Sequence, residues 1–200
     1  MQNIFLTQLR NKKSDITAFR SAALKLSHVL AQEALKLVNF KNETISTPLA
    51  KTTGEVLKQN VVLVPILRSG IALLPTFLFY FEHAKVGFLG LKRDEKTAIA
   101  HEYYRNLPKI GKNDLVFLLD PMLATGGSSV DAMKVLVESG IKEENIIGVF
   151  LIAAPEGEKK LKESFPKMRV VIGVQDKGLN NKKYILPGIG DFGDRFFGTE

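Results

Sequence analysis

The run Val116-Phe117-Leu118-Leu119 constrains the fold more than any other part of the chain. Four apolar residues in succession cannot alternate between core and solvent, so a strand made from them must be covered on both faces. Similar short runs at Val61–Leu67, 85–91, Leu115–Leu119, Ile146–Ala153 and 169–174 are separated by Gly, Pro and Asp. Between them, helical patterns fit residues 71–82, 128–139 and 156–165, and Gly140 is placed to stop the second. Strands alternating with helices predict an α/β domain with a mainly parallel central sheet flanked by helices. Upstream, Ile16, Phe19, Ala23, Leu26, Leu30, Ala34 and Leu37 recur at spacings of three and four. They predict an amphipathic helix from Asp15 to about Val38, capped by Ser14 or Asp15. A polar stretch around residues 41–53 follows, with no linker, repeat or low-complexity tract. The 200 residues fit one domain, 1–200.

An apolar share of 45% against 24% charged residues excludes a disordered chain. Residues 61–81 are long and apolar enough to suggest a membrane span, but Arg68 sits inside them beside Pro65, Gly70 and Pro75. A strand, a loop and a helix in a core describe them better. The start, Met1-Gln2-Asn3-Ile4-Phe5-Leu6, lacks a signal-peptide pattern, and there is no cysteine. Both favour a cytoplasmic location. The net charge of +7 favours anionic partners, yet the basic residues occur only in short pairs such as Lys12-Lys13 and Lys182-Lys183. No long basic tract suggests a nucleic-acid arm, and charge alone does not decide between phosphorylated metabolites, nucleic acid and acidic surfaces. His28, His83 and His101 are dispersed and form no metal-binding pattern.

The chemistry concentrates in three places. In the first, the strand 115–119 ends at Asp120 and passes through Pro121-Met122-Leu123-Ala124-Thr125-Gly126-Gly127 to a helix starting near Ser128. Amides from Ala124 to Ser128 can converge on a phosphate where glycine allows close approach, and the helix N-terminus adds its dipole. Thr125 and Ser128 add hydroxyl donors, and Asp120 sits where open α/β sheets bind ligands. The plainer alternative is a strand-to-helix turn capped by Ser128. In the second, Arg68-Ser69-Gly70 follows one strand and Arg93 the next, two cations able to neutralise a departing anion. In the third, Gly188 to Gly193 satisfies G-x-G-x-x-G, but only seven residues follow, too few for a dinucleotide-binding unit. This glycine-rich tail can instead present backbone groups to the edge of a flat base; a terminal hairpin is the alternative.

The segment from Asp120 to Ser128 resembles the signature by which type I phosphoribosyltransferases bind 5-phosphoribosyl 1-pyrophosphate (PRPP). In the form Asp-Pro-Met-Leu-Ala-Thr-Gly-Gly-Ser it resembles the uracil phosphoribosyltransferase family, as do Val64–Gly70 and the tail Tyr184–Arg195 with its Phe-Gly-Thr ending. Residues 176–180 match a further family segment, and the likeness runs from about Leu9 to Thr199. The resemblance implies the type I fold, with a small base-binding hood formed with the C-terminal segment. It implies PRPP contacts from Arg68, Arg93, Asp191 and the run Asp120, Pro121, Met122, Leu123, Ala124, Thr125, Gly126, Gly127 and Ser128. It also implies uracil contacts from Ile185, Gly190, Asp191 and Phe192, with Asp120, Arg68 and Asp191 central to catalysis. The implied reaction joins uracil to PRPP, giving UMP and diphosphate, with Mg2+ held mainly by PRPP and a homodimer or larger homo-oligomer as the assembly. Residues 97–108 match a polar flap, although for Tyr103 and Tyr104 simple packing is an equal reading. Ser69 departs from the family's alanine. Two rivals are an enzyme of this family for another base and a regulatory protein of the same fold that binds nucleotide and RNA.

Overall fold

The computed structural model describes residues 2–93 and 100–199, without the side chains of residues 92, 93 and 100. Helices α1 (Gln2–Arg10) and α2 (Ile16–Leu35) open the chain, followed by an antiparallel hairpin of β1 (Phe40–Ser46) and β2 (Lys51–Leu57). Strand β3 (Val61–Leu67) leads through a 3-10 turn, Ser69–Ala72, into α3 (Leu74–Tyr80). Then come β4 (Lys85–Val86), β5 (Phe88–Arg93), β6 (Ala100–Asn106), β7 (Leu115–Leu119), β8 (Met122–Leu123) and α4 (Gly127–Glu138). The chain continues with β9 (Ile146–Ala153), α5 (Pro155–Ser164) and β10 (Arg169–Gln175). Short strands β11 (Gly178–Leu179) and β12 (Ile185–Leu186) and a last helix, α6 (Phe192–Phe197), complete it.

The main sheet runs β10-β9-β7-β3-β5-β6, with β4 beside β3 and β8 beside β9. Every pairing in it is parallel except that of β5 with β6. This is the expected α/β architecture, and β3, β7 and β9 begin and end where their apolar runs do. The unbroken run in β7 has the predicted cause. Phe117 and Leu119 enter a core with Phe19, Leu26, Phe77 and Leu151, beneath α1, α2 and α3. Val116 and Leu118 enter a second core with Met133, Leu136 and Phe150, beneath α4 and α5. Phe117 alone meets the rings of Phe77 and Phe81, with centroids 5.3 and 4.9 Å away.

Several expectations needed adjustment. The segment expected as one strand over 85–91 divides into β4 and β5. The helix expected from residue 71 starts as a 3-10 turn, and Pro75, in the first turn of α3, suits a helix beginning there. At α2 the cap is Asp15, whose Oδ1 accepts from the Ala18 amide at 2.7 Å, while Ser14 donates to the Gln8 carbonyl. The polar stretch after α2 is a hairpin. None of β1 is buried, so burial imposes no apolar period on it that periodicity could find. Part of the expected flap, residues 100–106, is strand β6, and Tyr103 and Tyr104 pack over Gly90 of β5; residues 97–99 lie outside the described residues. No helix among the described residues is long and apolar enough to cross a membrane.

Candidate active site

The carboxyl ends of β3 and β7 open into a cavity of about 760 Å3. It meets residues from all three predicted places: Arg68 and Ser69; Asp120, Met122 and Ala124–Ser128; and Ile185 with Gly190–Gly193. The volume lies within the range of roughly 300–1,000 Å3 that small-ligand sites occupy. Pro121 and Leu123 do not line it. Leu123 is buried in the second core, and the Pro121 carbonyl accepts from the Leu151 and Ile152 amides of β9. The side chain of Arg93 lies outside the described residues.

On the Asp120–Ser128 side the loop geometry is local. Gly126 holds φ +75°, and a Cβ there would also lie 2.7 Å from the carbonyl oxygen of Gly157 in α5. Both facts require glycine. Helix α4 begins at Gly127 rather than Ser128, and no side chain caps it. Ser128 is therefore not the cap that the plainer reading supposed, and its hydroxyl is left to the cavity. Uncapped amides of the first turn, a hydroxyl at Thr125 and one at Ser128 make an anion-binding end.

Asp120 follows β7, and its Oδ1 accepts from the Met122 amide at 3.3 Å. Part of the residue faces the cavity, but protein encloses the carboxyl closely. Burial pushes it up to about 7, against the smaller downward pull of that hydrogen bond. Arg68, after β3, reaches the C-terminal helix instead of the loop. Its Nη2 stands 3.5 Å from Asp194 Oδ1, and its guanidinium lies 5.8 Å from the centre of the Phe197 ring. The side chain remains 58% exposed, free to meet an anion in the cavity.

The Ile185–Gly193 side is assembled from distant parts of the chain. Gly188 holds φ +63°, where a Cβ would lie 2.1 Å from the Ile185 carbonyl oxygen. Asp176 Oδ2 accepts from the Gly188 amide at 2.9 Å, and both Asp176 oxygens receive the Arg10 guanidinium. Arg10 also donates to the Gly188 carbonyl at 2.9 Å. Arg195 donates to the carbonyls of Ile189 at 2.7 Å and Asn11 at 2.8 Å, and to that of Leu9. Asp191 caps α6 through the Asp194 amide at 3.0 Å. Sequence reasoning missed Arg10, Asp194 and Arg195 as braces, and the hairpin turn 181–184 as a wall of the cavity. The paired lysines of that turn were visible, but nothing local tied them to a loop so far upstream.

Among the described residues no three His, Cys, Asp or Glu side chains gather into a metal site. Among the described residues lining the cavity, the carboxylates are Asp120 and Asp191. That set suits a divalent ion brought in by the oxygens of a ligand better than one held by the protein.

A family model described as uracil phosphoribosyltransferase matches residues 2–199. A uracil phosphoribosyltransferase of Thermosipho melanesiensis is 43% identical over 196 residues, covering 98% of this chain and 93% of the relative. One from Limosilactobacillus fermentum is 40% identical with the same coverage. A solved protein structure from Aquifex aeolicus superposes with a TM-score of 0.92 at 36% identity, over 100% of this chain and 95% of that one. A hypoxanthine-guanine phosphoribosyltransferase of Bacillus anthracis, 11% identical, matches with a TM-score of 0.52 over 80% of each chain and speaks for the fold alone.

Proposed function

The chain belongs to the uracil phosphoribosyltransferase family, and from that membership we propose how its cavity divides the work. The enzyme joins uracil to PRPP, giving UMP and diphosphate in pyrimidine salvage. The observation that carries this reading is a single cavity uniting the Thr125–Ser128 loop, Arg68 and the Gly190–Phe192 segment.

In this scheme N1 of uracil displaces diphosphate at C1′ of PRPP through a loose transition state. The C1′–O bond breaks as the C1′–N1 bond forms, the N1 proton passes to water or to the departing diphosphate, and positioning supplies much of the acceleration. Loop amides with Thr125 and Ser128 hold the 5′-phosphate. Asp120 accepts from the ribose hydroxyls, a task its ionised form performs best. Arg68 and Arg93 stabilise charge growing on the leaving diphosphate. Met122 and Ala124 border the sugar, while Pro121 and Leu123 keep β8 on the sheet. Asp120 and Asp191 lie where a Mg2+ held mainly by PRPP would add further neutralisation.

Backbone groups of Ile185 and Gly190–Phe192 read the base. Uracil presents O4 and N3–H, whereas cytosine presents an amine and a bare N3. A backbone pair matched to uracil leaves groups unpaired with cytosine, at about 1–3 kcal/mol each. A homodimer and a cytoplasmic location belong to the same reading. The exposed β1–β2 arm, with Phe40, Ile45 and the 96%-exposed Leu49, supports an assembly. Diphosphate release from PRPP across uracil, cytosine, adenine and hypoxanthine tests the reading. Release with uracil alone is expected, and equal release with a purine would overturn it.

A further inference from the structure

The anion-binding loop carries amides and hydroxyls but no cation of its own. Among the described residues lining the cavity, the cations are Arg68, Lys182 and Lys183. Arg68 is drawn towards α6 by Asp194. The two lysines lie in the turn between β11 and β12, and no described carboxylate pairs with either of them. The turn is fixed by Asn180. Its Oδ1 accepts from the amides of Lys182 and Tyr184, both at 2.9 Å, and its carbonyl accepts from the Lys183 amide at 2.8 Å. That arrangement holds Lys183 at φ +64°, where glycine is at ease and a side chain is strained. Among the described residues Lys183 is the one non-glycine residue with positive φ. A strained residue on a cavity wall points to a task for its side chain.

The turn and the phosphate loop also share a support. Glu156 Oε1 accepts from the Leu179 amide at 3.0 Å, mooring β11 to the start of α5. The next residue, Gly157, abuts Gly126 of the loop. One helix start thus carries the root of the lysine turn and the floor of the anion site.

We propose that Lys183 is a binding residue for the 5′-phosphate of UMP and PRPP, its ammonium supplying the positive charge that the Thr125–Ser128 loop lacks. This deepens the proposed function and rests on it. A phosphate held by loop amides alone would keep its full charge beside a partly enclosed carboxyl, Asp120. A lysine across the cavity offsets that charge without altering the loop.

The test is calorimetric binding of UMP and of uridine to the whole protein, with Lys183→Gly and Lys183→Arg alongside the wild type. Glycine removes the charge and relieves the backbone, so a drop in affinity cannot come from a strained turn. In Lys183→Gly, UMP should weaken about fivefold to tenfold with uridine unchanged and the melting temperature no lower. Lys183→Arg should keep most of the UMP affinity. Unchanged UMP affinity in Lys183→Gly, equal weakening of uridine, or an arginine variant as weak as the glycine one overturns the assignment. A wild-type chain that binds UMP and releases no diphosphate with uracil would sink the activity alone, the UMP–uridine contrast still deciding Lys183.

Discussion

From Leu115 to Glu138 the loop wall of the cavity, where the phosphate is proposed to bind, is made by one continuous stretch of chain, strand then loop then helix. The opposite wall, proposed to read the base, instead gathers Arg10, Asp176, Gly188 and Arg195, residues up to 185 positions apart. The first is shaped by local backbone chemistry, chiefly the left-handed Gly126. The second is a glycine-rich segment whose shape comes from two arginine-centred braces to the N-terminal helix. The contrast teaches that the two subsites should fail separately: one through its own residues, the other through residues that never touch the ligand.

The largest expected break is on the phosphate side. Asp120→Asn should lower kcat/KM for PRPP by about 100- to 1,000-fold, the scale for losing one aligned charged contact in a transition state. Steady-state diphosphate release measures it, and a loss under about threefold would remove Asp120 from the mechanism. The same variant should stabilise the free protein. Folded Asp120 keeps its proton up to about pH 7, whereas the unfolded residue loses it near its ordinary value of 3.8. As pH rises through that window the unfolded state ionises first, so the folded protein loses stability. Denaturant midpoints should therefore favour the asparagine variant by about 2–4 kcal/mol at pH 8 and converge below pH 4. A constant difference across the range would contradict the burial.

On the base side, Arg10→Met removes the partner of Asp176, whose side chain is only 3% exposed. Breaking a buried pair costs about 3–5 kcal/mol; because Arg10 is 24% exposed, a loss of about 2–3 kcal/mol is expected. The diagnostic is kinetic: KM for uracil should rise several-fold more than KM for PRPP. Equal increases would mean that the two subsites are mechanically one.

How much was legible in the sequence follows the same division. The β7 strand, its terminal Asp120 and the Thr125-Gly126-Gly127-Ser128 turn could be read because each residue's role depends on its immediate neighbours. The tail was read as base-binding, but its braces were not. Nothing in Asn3–Arg10 says that Arg10 will meet Asp176, since ion pairing across 166 positions leaves no periodicity. The β1–β2 hairpin was missed for a related reason: its register is set by backbone pairing, while burial, the usual source of a two-residue pattern, plays little part. The helix start at Gly127 shows the limit of residue statistics, which favour serine as a cap where this chain uses an uncapped turn and frees Ser128.

A smaller effect sharpens the separation. Thr125 sits in the loop, and its Oγ1 is 3.4 Å from the Gly127 amide, too long to matter much to the loop's shape. Thr125→Val keeps the β-branched outline and removes the hydroxyl, so the fold should hold to within about 0.5 kcal/mol. If that hydroxyl donates to the phosphate, UMP affinity should fall by about fivefold to tenfold, the value of one hydrogen bond to a charged group after solvent exposure is allowed for. Uracil and uridine, which carry no phosphate, should bind the variant as they bind the wild type. Weakened uridine binding would show that a change in the loop travels to the base side, and that the braces on the tail do not isolate it.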